Sequence, residues 1–259
     1  MKILVIHGSM RKGKTYALTK EIMNRLSCKG DVEYVEISVA DLKLPFCVSC
    51  HICFAKGEEY CPNYTHIADV QTALKECDGI ILSGTTYMWA LNAAMKNLLD
   101  HLAYGFHRPT LFGKKGMVIA TSKGNGEKAV TKYLKAVLGQ WGVNGAIVVT
   151  QNSKEEQLMS ASKIATKLDR HAERFYKQIV SKNFIKPSLR SIAVHNAFRS
   201  MALSEFAEFE ADTQYWQQEG LNRAYPVKAG VVKYAVGAAV FCIASFATKT
   251  IGRVFLKRQ

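Results

Sequence analysis

Short apolar runs alternate with longer amphipathic stretches over the first 180 residues. Residues 2–7 (KILVIH) form a continuous apolar run, which predicts a buried strand. Leu18, Ile22, Met23 and Leu26 recur at helical spacing, which predicts a helix over 16–27. The alternating, β-branched segment 32–37 (VEYVEI) predicts a second strand. Residues 66–76 read as a helix, 79–83 (GIILS) as a strand, and 90–103 as a helix. A fourth strand is expected at 117–120, a helix at 127–140, a fifth strand at 146–149 and a long helix at 155–181. Short apolar strands alternating with helices imply an α/β fold: a five-stranded parallel sheet covered on both faces. Ligands of such folds bind in the loops after the carboxyl ends of the strands. That directs attention to loops 8–15, 84–92 and 121–126.

The alternation stops near residue 182. Residues 1–182 therefore read as one domain, with an irregular insertion at 44–62, and 183–259 as a helical extension. Within it, 187–225 has a helical period with Phe198, Met201, Leu203, Phe206 and Phe209 as apolar candidates. Residues 229–248 are almost wholly apolar. The uncharged part, 234–248, is short for a spanning helix, and Lys228, Lys233, Lys249, Arg253, Lys257 and Arg258 flank it. This pattern suits membrane-surface contact through 229–258, or packing against the domain or a partner, better than a span.

The chain has 35 Lys+Arg and 21 Asp+Glu, a formal charge of +14, which favours anionic partners or cofactors. The excess is spread along the chain rather than gathered in a polybasic arm, so nucleic acid is not an expected partner. The opening MKILVIHGS lacks a long apolar core of the signal-peptide type, which predicts a cytoplasmic protein. In a reducing compartment, four cysteines within fifteen residues suggest a metal or redox site rather than disulfides.

Loop 8–15 (GSMRKGKT) joins a strand to a helix and carries Arg11, Lys12 and Lys14. Free amides at a helix start, with cations beside them, attract phosphate. The octet also matches the phosphate-loop pattern of nucleoside triphosphatases. Those enzymes need a further acid at another strand end to hold magnesium, and the strands here end in Ser83-Gly84, Thr121-Ser122 and Thr150-Gln151. Gly8-Ser9-x-Arg11-Lys12-Gly13-x-Thr15 resembles instead the phosphate loop of the NADPH-dependent FMN reductase-like flavoproteins, with Met10 in place of the usual Pro. The resemblance implies a flavodoxin-like three-layer sandwich. It implies that Ser9, Arg11 and Thr15, with Gly13 and Lys14 in the same loop, hold the FMN 5′-phosphate.

Gly84-Thr85-Thr86-Tyr87-Met88-Trp89, followed by Lys96 and Asp100, resembles the family segment that lies against the flavin ring. There Gly84-Thr85 stand for Ser-Pro and His101 for an Arg. Thr85, Thr86, Tyr87, Met88 and Trp89 are thereby implied in flavin binding; the lesser alternative is that Tyr87 and Trp89 fill core space. Thr121-Ser122-Lys123-Gly124-Asn125-Gly126 resembles the family's Gly-rich third loop and implicates Ser122 and Gly124.

Cys47-x2-Cys50-x2-Cys53-x7-Cys61-Pro62 suits an iron–sulfur cluster. Zinc, a metal-free redox pair and inert packing compete with it. Iron–sulfur flavoproteins, a branch of the same family, resemble this chain in the motif and its placement, which would make Cys47, Cys50, Cys53 and Cys61 ligands of a [4Fe–4S] cluster. The resemblance further implies FMN, NAD(P)H as donor, a redox partner such as ferredoxin or a quinone or small-molecule acceptor, and a homo-oligomer. Tyr215-Trp216 followed by Gly220-Leu221 resembles a stretch after the domain in some long members. The alternatives are an NAD(P)H-dependent FMN or quinone reductase without a cluster, and a non-enzymatic flavodoxin-like electron carrier. No residue reads as a catalytic acid or base.

Overall fold

The protein is described by a computed structural model covering residues 1–205, 207–218 and 230–256, the last six as backbone only. Phe206, Gly220, Leu221, Lys228, Lys257 and Arg258 lie outside the described residues. Along the chain come β1 (Lys2–His7), α1 (Lys14–Ser27), β2 (Glu33–Ser38), α2 (Ile52–Ala55), a 3₁₀ turn (Glu58–Tyr60) and α3 (Tyr64–Glu76). Next are β3 (Gly79–Tyr87), β4 (Ala90–Leu91), α4 (Ala93–His101), α5 (Tyr104–His107), β5 (Lys115–Ser122) and α6 (Glu127–Gln140). Then follow β6 (Ile147–Asn152), α7 (Ser153–Leu158), α8 (Ala161–Val180), α9 (Leu189–Ala202), α10 (Glu210–Gln217) and α11 (Val231–Leu256).

Five strands run parallel in the order β2-β1-β3-β5-β6, with β4 an antiparallel appendage to β3. This is the flavodoxin-like order, which reverses direction between β1 and β3. The central strands are buried on both faces, so they read as unbroken apolar runs rather than alternating ones. Leu4, Ile6, Ile80, Leu82, Val118 and Ala120 pack one way, with α3, α4 and α6. Ile3, Val5, Ile81, Met117, Ile119 and Val149 pack the other way, with α1 and α8.

Three expectations change. The strand expected at 79–83 continues to Tyr87, because Thr85, Thr86 and Tyr87 are good strand formers and pair onward with β4. The helix expected at 155–181 is broken at Met159-Ser160. Asn152 caps α7 by accepting from the Glu155 amide, and Ser160 caps α8 by accepting from the Lys163 amide. The apolar tail is one continuous helix. Val231–Thr250 is the one stretch among the described residues long and apolar enough to cross a membrane, with mean hydropathy 1.7. Length alone therefore does not exclude a span, as the count of uncharged residues suggested.

Phe175 on α8 is fully buried against the sheet. Phe175→Ala is expected to cost about 3–5 kcal/mol in urea unfolding through the cavity it leaves.

Candidate functional site

The carboxyl ends of β1, β3 and β5 open at one edge. At Gly8 the chain turns away, and its amide donates to the Ser83 carbonyl at 2.9 Å. A Cβ on Gly8 would lie 2.3 Å from that oxygen, so the turn demands glycine. Gly13 precedes α1 in extended conformation, and no side chain caps the helix. The first-turn amides of α1 are thus left to an external acceptor at the positive end of the helix dipole.

Hydroxyls tie the loops together. Ser9 Oγ lies 2.6 Å from Thr85 Oγ1, and Thr15 Oγ1 lies 3.1 Å from Thr85 Oγ1 and 2.6 Å from Thr121 Oγ1. Three separate loops therefore meet through Thr15 and Thr85. Arg11 is exposed beside them. Lys14 makes an ion pair with Glu156 of α7. No Asp or Glu stands at the ends of β3, β5 or β6, so the magnesium-dependent triphosphatase arrangement lacks its acid.

β3 and β4 form a tight hairpin with Met88 and Trp89 at its tip, both left-handed (φ 46° and 63°). Such geometry in bulky residues is costly, and it marks a site where the surroundings over-determine the backbone. Tyr87, Met88 and Trp89 are 73%, 85% and 77% exposed, which excludes the core-filling alternative for the two aromatics. The hairpin packs on the third loop: a Cβ at Gly126 (φ 102°) would meet Thr86 Cγ2 at 2.8 Å and Trp89 Cα at 3.1 Å. Gly124 has open space around it. Thr86 Oγ1 and Asn92 Oδ1, flanking the hairpin, are buried without a hydrogen-bond partner. Open amides, clustered hydroxyls, an exposed aromatic wall and unpaired polar atoms fit a phosphate-bearing flat heterocycle such as FMN.

Two anchors of this edge were not apparent in the sequence. Asn92 Nδ2 donates to the Gly8 carbonyl at 2.7 Å, joining the hairpin to the first loop. Glu127, buried at the start of α6, accepts from Ser122 Oγ at 2.6 Å and from Asn152 Nδ2 at 3.0 Å. Burial works to raise the Glu127 carboxyl, but these two hydrogen bonds outweigh it and hold it below its ordinary value. The signal for Glu127, an acid opening a helix after glycine, looks like an ordinary dipole partner.

The cysteine segment lies beside α4. Asn97, on the buried face of α4, accepts from the Cys47 amide at 3.0 Å and donates to the Leu44 and Pro45 carbonyls at 3.1 and 3.0 Å. Ser49 and His51 take left-handed conformations that fold the loop back. All four cysteines are free thiols. Burial pushes the Cys53 thiol up to about 11, with Cys61, Cys47 and Cys50 adding like charge and Arg108 opposing them. Among the described residues, no three of His, Cys, Asp or Glu converge closely enough to hold a metal ion as they stand. The donor set, four thiols on one loop within electrostatic reach of one another, is nevertheless that of an iron–sulfur cluster.

The extension braces this loop. Buried Arg108 donates to the Cys53 carbonyl and to Glu58, both at 2.8 Å, and to Asp212 of α10 at 2.5 Å. His107 Nδ1 lies 2.6 Å from the other Asp212 oxygen. Phe54, His107, Phe198 and Phe209 stack around the same point. Trp216 is fully buried and donates to the His107 carbonyl, and Tyr215 donates to the Pro109 carbonyl. The aromatics of the extension thus pack on its own domain. No local pattern marks Arg108 or Asp212, because their partners lie 50–105 residues away in the chain.

A sequence model of the family described as NADPH-dependent FMN reductase matches residues 1–154. An iron–sulfur flavoprotein of Archaeoglobus fulgidus is 31% identical over 230 residues, covering 85% of this chain and 99% of that protein. An iron–sulfur flavoprotein of Methanocaldococcus jannaschii is 31% identical over 156 residues, covering 59% of this chain and 77% of that protein. Among solved structures, an apo NADH:FMN oxidoreductase aligns with TM-score 0.52 at 20% identity, over 68% of this chain and 88% of that one. An azoreductase of Bacillus anthracis aligns with TM-score 0.54 at 17% identity, over 68% and 99%. The two structures support the fold.

Two outcomes are expected. Because its carboxyl is depressed in the folded state, Glu127 adds stability above its ordinary value of 4.5, and that stability is lost as pH falls through the depressed value. Glu127→Gln should flatten the acid limb of Tm against pH. Asp212→Ala removes one of the two carboxylates that pair with buried Arg108 and leaves His107 without its acceptor, and should lower stability by about 1–3 kcal/mol in urea unfolding.

Proposed function

The chain belongs to the NADPH-dependent FMN reductase family and is a flavin-dependent oxidoreductase; within that family we propose that it is of the iron–sulfur flavoprotein type, passing electrons between FMN and a [4Fe–4S] cluster and on to a redox partner. The observation that carries the reading is a shared support. Asn92, just before α4, holds the first loop at Gly8, and Asn97, within α4, holds the cysteine loop at Cys47. One short helix and its cap thereby fix both candidate cofactor sites relative to each other. The 31% identity to an iron–sulfur flavoprotein over nearly that protein's whole length supports the same reading.

In this reading the α1 amides, Ser9, Arg11, Gly13, Lys14 and Thr15 bind the 5′-phosphate. Thr85 and Thr86 present hydroxyls to the ring's polar rim. Tyr87, Met88 and Trp89 wall the ring, and Ser122 and Gly124 line its far side. Cys47, Cys50, Cys53 and Cys61 ligate the cluster, with Asn97 and Arg108 fixing the backbone that carries them. When bound, FMN accepts two electrons together and releases them singly, and a cluster relays one at a time. NAD(P)H is the donor, and the acceptor is a one-electron carrier such as a ferredoxin, or a quinone. The setting is cytoplasmic and the assembly a homo-oligomer. A cluster-free NAD(P)H-dependent FMN or quinone reductase is the second reading, favoured by the failure of the thiols to converge on one point among the described residues.

The two readings separate in Cys53→Ser. The first expects the variant to retain FMN and its reduction by NADPH, but to lose transfer to a one-electron acceptor. Transfer at the rate of the unaltered chain would remove the cluster and leave the second reading.

A further inference from the structure

α11 has two unlike faces. Its inner stripe meets α9: Tyr234 packs by Ile192, Phe241 lies under the Arg199 guanidinium at 4.3 Å, and Ser245 Oγ is 2.9 Å from Ser200 Oγ. Lys233 Nζ is bound to the Pro187 carbonyl at 2.6 Å. These contacts span residues 233–245 and hold that part of the helix along α9. The opposite stripe holds Val231, Val232, Ala235, Ala239, Ile243 and Phe246, all exposed, at 69% for Ile243 and 74% for Phe246. No charged side chain interrupts it between Val231 and Lys249.

Charge chooses what covers this stripe. Residues 220–259 contain seven Lys and Arg and no Asp or Glu. Basic residues flank the apolar stretch in the sequence: Lys228 and Lys233 on one side, Lys249, Arg253, Lys257 and Arg258 on the other. A second copy packed on the stripe would set cations against cations whether the helices ran parallel or antiparallel. A transmembrane pose would strip α11 from α9, or carry Arg199 and His195 into hydrocarbon with it. An anionic lipid surface satisfies both features at once: acyl chains receive the apolar stripe and headgroups receive the flanking cations.

We propose that α11 is a monotopic docking helix that lies in the plane of an anionic membrane, with Val231, Ile243 and Phe246 on its embedded side. The domain supplies the polar backing that a free amphipathic helix would have to carry on its own other face.

Flotation of the purified full-length protein with vesicles tests this. The probes are phosphatidylcholine vesicles with and without about one third phosphatidylglycerol, at low and high salt. The protein should float with the anionic vesicles, weakly with the neutral ones, and less as salt rises. The double variant Ile243→Asp/Phe246→Asp alters exposed positions and should keep its circular dichroism. Its partition coefficient should fall by at least about tenfold. Failure to float with anionic vesicles overturns the proposal, as does equal flotation of the variant. A lipid-independent dimer in light scattering that the variant dissolves would assign the stripe to a second copy and overturn it too. Resistance of the membrane-bound protein to alkaline carbonate would replace surface docking with a span.

Discussion

Loops at the carboxyl edge of a parallel sheet receive no ladder hydrogen bonds, so something else must hold them in place. Here the Thr15 and Thr85 hydroxyls do so. They join the first loop, the end of β3 and the end of β5 within hydrogen-bond distance. Asn92 adds the hairpin to the same network through Gly8, and Glu127 secures the third loop through Ser122 and Asn152. Each bond is worth only about 0.5–1.5 kcal/mol net, but together they remove loop freedom that ligand binding would otherwise have to order. The uncapped start of α1, held by this network, leaves its first amides without a side-chain acceptor.

The second tier of organisation is long-range. The cysteine loop has little regular structure, and its position depends on what grips it. Asn97 holds one end from α4, and Arg108 holds the other from the turn after α5. Arg108 is itself fixed by Asp212, which belongs to the extension. The tail is therefore part of the support for the cysteine loop. A buried ion pair gives little net stability, but its geometry is specific, and breaking it is costly.

The alternation of elements and the three carboxyl-edge loops were legible because buried parallel strands leave unbroken apolar runs such as KILVIH. The continuation of β3 to Tyr87 was not. Gly84 reads as a strand end, and pairing with the two-residue β4 leaves almost no periodic trace. The break at Met159-Ser160 leaves little trace in the sequence because α7 carries no buried apolar stripe to interrupt, and only the capping serine signals the stop. The exposure of Tyr87, Met88 and Trp89 could not be read from composition, since aromatic residues after a buried strand can also fill core space. Asn97, Arg108 and Asp212 left no local signal, because their roles arise only when distant segments meet.

The proposed function requires two redox cofactors, one at the sheet edge and one at its neighbouring loop. Anaerobic purification with counts of FMN, iron and acid-labile sulfide tests it most directly. One FMN per chain is expected, with about four iron and four sulfide. FMN without iron would contradict the cluster assignment of Cys47, Cys50, Cys53 and Cys61, and a reconstituted chain holding neither would contradict the reading of the whole edge.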